Sequence, residues 1–311
     1  MKKRPKVSIL MATYNGESFL KEQLDSLLAQ TYSNFEVIIS DDASTDRTIS
    51  IIDKYLKKYS NIVLIKNNFN VGYVKNFERL ISVCQNDYIA LCDQDDIWDV
   101  NKVNIQVDIM LQLEKKVQNI PILIHSDLKM IDENSNLINN SYFRYRCYRL
   151  KNQKDLGHIL GPCGILGNTV FFNKILKEKI LPFPEDVENH DYWIALINEL
   201  LGKRVTLLDA LVEYRIHNDN ASNNTQVIYQ KQTKRTKYLP YINSSREAIL
   251  NYTLKNFSLN SKDRYILNKF LFYLNSEKFK FFRAYTAIKY SFIKRRFFYR
   301  IKFLLKCLVR K

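Results

Sequence analysis

The sequence predicts an α/β protein with a Rossmann-like, mainly parallel sheet flanked by helices, followed by a basic helical extension. Three observations carry this reading. Strand and helix patterns alternate through the first hundred residues. Polar clusters follow the predicted strands at Thr13-Tyr14-Asn15, Asp41-Asp42 and Asp93-Gln94-Asp95-Asp96. Charge divides along the chain: residues 231–311 hold 21 Lys/Arg and 3 Asp/Glu, whereas residues 1–230 hold 27 and 29.

The elements follow in order. Val7–Met11 is a continuous apolar run, as expected of a strand buried on both faces. Thr13-Tyr-Asn-Gly16 breaks it, and Leu20, Leu24, Leu27 and Leu28 recur at helical spacing. Phe35–Ile39 is a second strand, and Ile49, Ile52, Leu56 and Tyr59 mark a helix with Ser44 or Thr45 as its N-cap. Ile62–Ile65 is a third strand, Tyr73–Cys84 a helix and Tyr88–Cys92 a fourth strand. Repeated β-α units of this length give a parallel sheet, with ligands beyond the carboxyl ends of its strands. The three polar clusters therefore share one rim.

Later elements are sparser. Lys102–Leu113 reads as a helix and Pro121–His125 as a strand. Leu166–Phe172 is apolar with a bend at Gly167-Asn168, and Asp191–Leu201 is a helix with Trp193, Leu196, Ile197 and Leu200 inward. Arg204–Leu208 and Leu211–Tyr214 read as two strands, and His125 and His158 as structural.

Several classes are excluded. The first turn has neither G-x-G-x-x-G nor G-K-[ST], which disfavours a dinucleotide-binding domain and a P-loop NTPase. The five cysteines (84, 92, 147, 163 and 307) have no C-x-x-C spacing and read as buried thiols in a reducing compartment. No stretch reaches about 18 uncharged apolar residues, so no bilayer-spanning helix is expected. No nucleic-acid-binding motif accompanies the basic charge.

Asp93, Asp95 and Asp96 lie within four positions at a strand end. Carboxylates this close raise one another's pKa unless a cation compensates. Mg²⁺ or Mn²⁺ bound with substrate phosphates is the usual compensation. A solvated acidic turn capping the next helix is the bland alternative.

The ordered set Val7-Ser-Ile-Leu-Met-Ala-Thr-Tyr-Asn-Gly16, Gln23–Tyr32, Phe35–Asp42, Asn70-Val-Gly72, Asp93-Gln-Asp-Asp96, Asn189-His-Asp-Tyr-Trp193 and Tyr214-Arg-Ile-His217 resembles the GT-A fold family 2 glycosyltransferases, in particular the bacterial rhamnosyltransferase-like group. The resemblance covers roughly residues 5–220. It implies a nucleotide-diphospho-sugar transferase domain over residues 1–225, and the basic helical C-terminal region over 226–311 lies outside it. It implies that Thr13, Tyr14, Asn15 and Glu17 line a nucleotide pocket. Asp42 would accept from a pyrimidine imide N–H, which suits an acceptor-only carboxylate. Asp93 and Asp95 would be the D-x-D pair, contacting ribose and holding Mn²⁺ or Mg²⁺, with His217 reaching the metal or diphosphate. Asp96 would be a neighbouring support or an acceptor contact. Asp191 would be the catalytic base of an inverting transfer, with Glu188 the second choice and a plain helix N-cap the alternative for Asp191. The segment Gly161-Pro-Cys-Gly-Ile-Leu-Gly167 departs from the family's usual Thr-Gly-Cys-like run on the acceptor side.

In the tail, Phe297, Phe298, Ile301, Leu304, Leu305 and Leu308 form a helical stripe opposite Arg295, Lys302, Lys306 and Arg310. A basic amphipathic helix with aromatics suits an anionic membrane surface; a helix packed on the main domain or on a dimer partner is the alternative. The expectation is thus an enzyme on the cytoplasmic face of the cell membrane. It would take a UDP- or dTDP-sugar and a lipid-linked or oligosaccharide acceptor in surface glycan synthesis. Two alternatives are a catalytically idle scaffold subunit, which would have lost the base, and a nucleotidylyltransferase, which would want a Gly-rich first loop bearing Arg or Lys.

Overall fold

The computed structural model describes residues 4–218, 244–275 and 280–309, without the side chains of 244, 280, 302 and 306–309. The first half reads β1 (Val7–Thr13), α1 (Leu20–Leu28), β2 (Phe35–Asp41), α2 (Thr48–Leu56), β3 (Ile62–Lys66), α3 (Tyr73–Val83) and β4 (Tyr88–Cys92). These strands lie in the order β3-β2-β1-β4, all parallel. Thr13 is level with Asp41, and Met11 with Cys92. The register therefore brings the chain segments after β1, β2 and β4 to one edge.

β5 (Ile97–Trp98), α4 (Lys102–Glu114), β6 (Ile122–Ile131), β7 (Leu137–Asn139), α5 (Tyr142–Tyr145) and α6 (Leu156–Leu160) follow. After a 3₁₀ turn at Gly167–Thr169 come β8 (Phe171–Asn173), α7 (Lys174–Ile180), α8 (His190–Leu201) and β9 (Lys203–Arg215). β8 inserts antiparallel between β4 and β6, while β9 runs parallel to β6. Most ladder pairs are parallel, giving a mixed α/β fold with a mainly parallel sheet. The two strands expected at 204–208 and 211–214 are one, β9. Its register against β6 shifts between Ser126 and Asp127, which leaves Leu208 and Asp209 as an unpaired bulge without ending the ladder.

Two apolar clusters cover the sheet. One joins Leu24, Ile52, Val103 and Met110 of the helices before β6 to one face. The other joins Phe77, Leu176, Trp193 and Leu196 to the opposite face. It also takes in Ile249 and Leu250 of α9 (Ser244–Asn256), Phe270 of α10 (Ser261–Asn275), Ala284 of α11 (Lys280–Lys289) and Phe303 of α12 (Phe297–Val309). The described C-terminal helices thus share a core with the first 215 residues. The expected boundary at 225/226 itself lies outside the described residues.

Three local expectations change. α2 begins at Thr48, whose N–H goes to Asp46 Oδ1 at 2.9 Å. Ser44 Oγ is committed to Asp41 (2.6 Å) and Thr45 N–H to Asn15 (2.8 Å), so neither caps the helix. The tail stripe is split: Phe303 is buried, while Phe297, Phe298, Ile301 and Leu305 are exposed. Arg295, expected on a solvent face, forks onto the buried Asp155. Lys302, Lys306, Leu308 and Arg310 lie outside the described side chains. Of the described cysteines, all free, Cys147 is half-buried rather than buried. No described helix is long and apolar enough to cross a membrane.

Candidate active site

A cavity of about 800 Å³ opens at the level strand ends. Thr13, Tyr14, Asn15, Asp42, Asp93, Asp95, Asp191 and His217 all line it. The first turn supplies its wall. The Thr13 hydroxyl is buried and donates to Asp41 (2.9 Å), while Asn15 Oδ1 accepts the Thr45 N–H. Both side chains therefore shape the turn, and the half-exposed Tyr14 ring is the part that faces the cavity freely. Glu17 is a correction. Its carboxylate turns to the Arg47 N–H groups at 2.8 and 3.0 Å, outside the cavity, and these bonds hold its pKa below the usual range.

Gln94 is a partner that sequence reasoning missed. Its Oε1 accepts the Tyr14 N–H (2.9 Å) and its Nε2 donates to the Tyr14 carbonyl (3.0 Å). This clip ties the first turn to the Asp93–Asp96 loop across 80 residues. A Cβ at Gly16 would stand 2.3 Å from Gln94 Oε1, so only glycine leaves room for it.

Asp42 is buried and accepts from Asn67 Nδ2 (2.8 Å), Val71 N–H (2.9 Å) and Gly72 N–H (2.9 Å). A carboxylate has roughly four acceptor sites, so one is left for a ligand donor.

The Asp93–Asp96 loop is anchored from beneath. Asp96 is fully buried, taking Asn168 Nδ2 (2.5 Å) and the Arg215 N–H (3.2 Å). Burial and the Asp95 and Asp93 charges push it well above the usual carboxylate range. It is a support inside the fold rather than an acceptor contact. Arg215, also fully buried, donates Nε to the Asp95 carbonyl (3.0 Å), Nη1 to Ser135 Oγ (2.9 Å) and Nη2 to Glu22 (2.6 Å). Only the planar five-donor fork of arginine reaches these partners at once. His217 Nε2 lies 2.8 Å from Asp95 Oδ2. Asp93 is raised to about 7, first by burial and then by Asp95 and Asp191. Among the described residues no three His, Cys, Asp or Glu side chains are grouped closely enough to hold a metal by themselves.

Asp191 sits in the first turn of α8, after the N-cap Asn189, so the plain N-cap reading fails. Its Oδ1 accepts the Tyr192 N–H at 2.6 Å. Burial still raises its pKa to about 6, against the lowering effects of that bond and of Arg246. Arg246 comes from α9, beyond the recognisable motifs, and lies 4.5 Å over the Tyr192 ring. Beside Asp191, the buried His190 stacks on Phe77 with ring centroids 4.2 Å apart, and burial lowers it to about 3. A Cβ on Gly167 would stand 2.8 Å from His190 Nε2 and 3.8 Å from Asp191 Cβ, so the 3₁₀ turn closes directly onto this pair. Glu188, the second choice as base, is exposed and bonded by Ser245 Oγ at 2.5 Å. It does not line the cavity.

The sequence profile described as glycosyl transferase family 2 matches residues 8–178, more than half of the chain. The chain belongs to glycosyl transferase family 2. A relative, the UDP-Glc:alpha-D-GlcNAc-diphosphoundecaprenol beta-1,3-glucosyltransferase WfaP of Escherichia coli, is 29% identical over 220 residues, covering 70% of this chain and 80% of its own length. The dTDP-rhamnosyl transferase RfbG of Shigella flexneri is 41% identical over 106 residues, 32% of this chain and 37% of its own. Among solved structures, TarS 1-349 of S. aureus in complex with UDP-GlcNAc superposes with a TM-score of 0.60 at 19% identity, covering 97% of this chain and 79% of that one. The mannosyltransferase PcManGT of Pyrobaculum calidifontis, in complex with GDP-Man and Mn²⁺, gives 0.54 at 16% identity, with 99% and 88% covered. These two share the fold of this family 2 chain.

Proposed function

We propose that this family 2 chain is an inverting, divalent-cation-dependent glycosyltransferase. It moves a sugar from a UDP- or dTDP-sugar to a hydroxyl of a growing cell-surface glycan. The observation that carries the reading is the meeting of Asp93, Asp95 and Asp191 at one cavity, although 98 positions separate the first from the last. Asp191 takes the proton of the acceptor hydroxyl as that oxygen attacks the anomeric carbon and the bond to the diphosphate breaks on the opposite face. A base raised to about 6 is ionised at neutral pH yet close enough to it to accept a proton well. Asp42 offers its remaining acceptor site to the imide N–H of uracil or thymine, and Tyr14 packs on the base.

Asp93, pushed up to about 7 by burial and then by the Asp95 and Asp191 charges, fits a hard cation together with Asp95. Asp93, Asp95 and His217 would hold Mn²⁺ or Mg²⁺ together with diphosphate oxygens, and the ion would offset the charge of the leaving nucleotide. The decisive experiment uses UDP-glucose and dTDP-rhamnose with a synthetic GlcNAc-diphosphate lipid, and reads the anomeric configuration of the product by NMR. An inverted anomeric centre is expected; a retained one would contradict a single displacement with Asp191 as base.

We also place the enzyme on the cytoplasmic face of the membrane. The support is the outer edge of α12, where Phe297 is 69% and Phe298 74% exposed among basic residues. Burying an aromatic side chain in the interface is worth about 1.5–3 kcal/mol. Phe297→Ser with Phe298→Ser should therefore weaken binding to phosphatidylglycerol vesicles more than about tenfold, without lowering the melting temperature. Equal retention of the double variant would remove α12 as the membrane contact. Deleting 292–311 is a poor test, because Phe292, Ile293 and Phe303 belong to the core.

A further inference from the structure

We propose that Arg146, Lys294 and Arg246 form a phosphate-binding site beside Asp191 that receives the diphosphate joining an acceptor sugar to its lipid. The proposal rests on the transferase reading above and extends it to the acceptor. The Gly161-Pro-Cys-Gly164 turn connects them: Arg246 binds its start, and Tyr148, beside Lys294 and Arg146, faces its end at Gly164. Arg246 donates from Nη1 to the carbonyls of Leu160 and Gly161, at 3.2 and 3.3 Å. Lys294 lies 4.8 Å over the Tyr148 ring and donates to the Arg146 carbonyl. Arg146 lies 5.7 Å from the Tyr142 ring centroid.

A row of rings connects this cluster to the donor cavity. Tyr148 is 6.0 Å from Tyr142, and Tyr142 is 6.2 Å from Tyr214, which lines the cavity. The charge of Asp191 is felt at Tyr142, Tyr148 and Cys163, where it adds to burial in raising their pKa values. The cluster is therefore within electrostatic reach of the proposed base.

The cations are poorly neutralised. Among the described residues neither Arg146 nor Lys294 makes a salt bridge, and the nearby Asp155 is taken by Arg295. The Arg146 Nε is buried with no hydrogen-bond partner among the described residues. Burial, and then the Arg146 charge, push Lys294 down to about 8, so the pair is held at a cost that an anion would remove. Arg144, Arg149, Lys151 and Arg296 add exposed positive charge around it. Two or three cations of fixed geometry on an aromatic floor suit the adjacent charges of a diphosphate better than a neutral sugar.

The test titrates the full chain with geranyl diphosphate in EDTA, where cation-dependent donor binding is silent. Wild-type protein should bind it, and Arg146→Gln and Lys294→Gln should each weaken binding about tenfold, as expected for loss of one charge-assisted contact. Lys294→Arg should restore it, which separates loss of charge from loss of fold. UDP binding with Mn²⁺ should be equal in all variants; its absence from wild type would sink the donor reading instead. Unchanged geranyl diphosphate affinity in both Gln variants would overturn the site. So would Lys294-dependent binding to phosphatidylglycerol vesicles with none to geranyl diphosphate, since the cations would then serve bulk lipid headgroups.

Discussion

Asp191→Asn should lower turnover by about 10²–10⁴-fold, the usual worth of general-base catalysis, and leave UDP affinity unchanged. Asparagine keeps the shape and can still accept the Tyr192 N–H, so α8 should remain intact. The pH profile separates this role from a structural one. In wild type, turnover should fall as pH drops through about 6, because protonated Asp191 cannot accept a proton. The variant's residual activity should lose that acidic limb. A variant that keeps both turnover and limb would remove Asp191 as base and return attention to Glu188.

The second large effect is at Asp95. Asp95→Ala removes the carboxylate that faces His217 and repels Asp93. Nucleotide affinity in Mn²⁺ should fall more than about tenfold, since one charge-assisted interaction is worth about 1.5–3 kcal/mol. Affinity in EDTA should not change. The backbone anchor from Arg215 to the Asp95 carbonyl survives the substitution, so the loop should stay in place. An Asp95→Ala protein with unaltered metal dependence would refute its role as a ligand.

The nucleotide half of the molecule was legible because its signals are local. Parallel strands buried on both faces read as continuous apolar runs, so Val7–Met11 and Tyr88–Cys92 were visible, and with them the carboxylates at their ends. Asp191 and His217 were singled out by the resemblance of their motifs, and the structure brings both to the cavity. What escaped depends on contacts distant in sequence. Gln94 matters only because Tyr14 faces it across the rim, and Gly16 only because Gln94 is there. Arg246 gains its meaning from the docking of α9, whose apolar pattern is weak. Glu17 and Ser44 were misread because a turn rich in polar groups offers many pairings, and only tertiary geometry selects among them. β8 is three residues long and sits between strands that precede it, so no periodicity could reveal it. The tail stayed ambiguous for a related reason: an amphipathic stripe shows that a face is buried, but not whether protein or lipid buries it.

The central claim is tested most directly by calorimetric titration of the wild-type chain with UDP, dTDP, GDP and ADP, each with Mn²⁺ and with EDTA. The account predicts that UDP or dTDP binds in Mn²⁺ more tightly than either purine nucleotide, and that EDTA abolishes most of this binding. Folded protein that binds none of the four, or binds them equally with and without the cation, would contradict it.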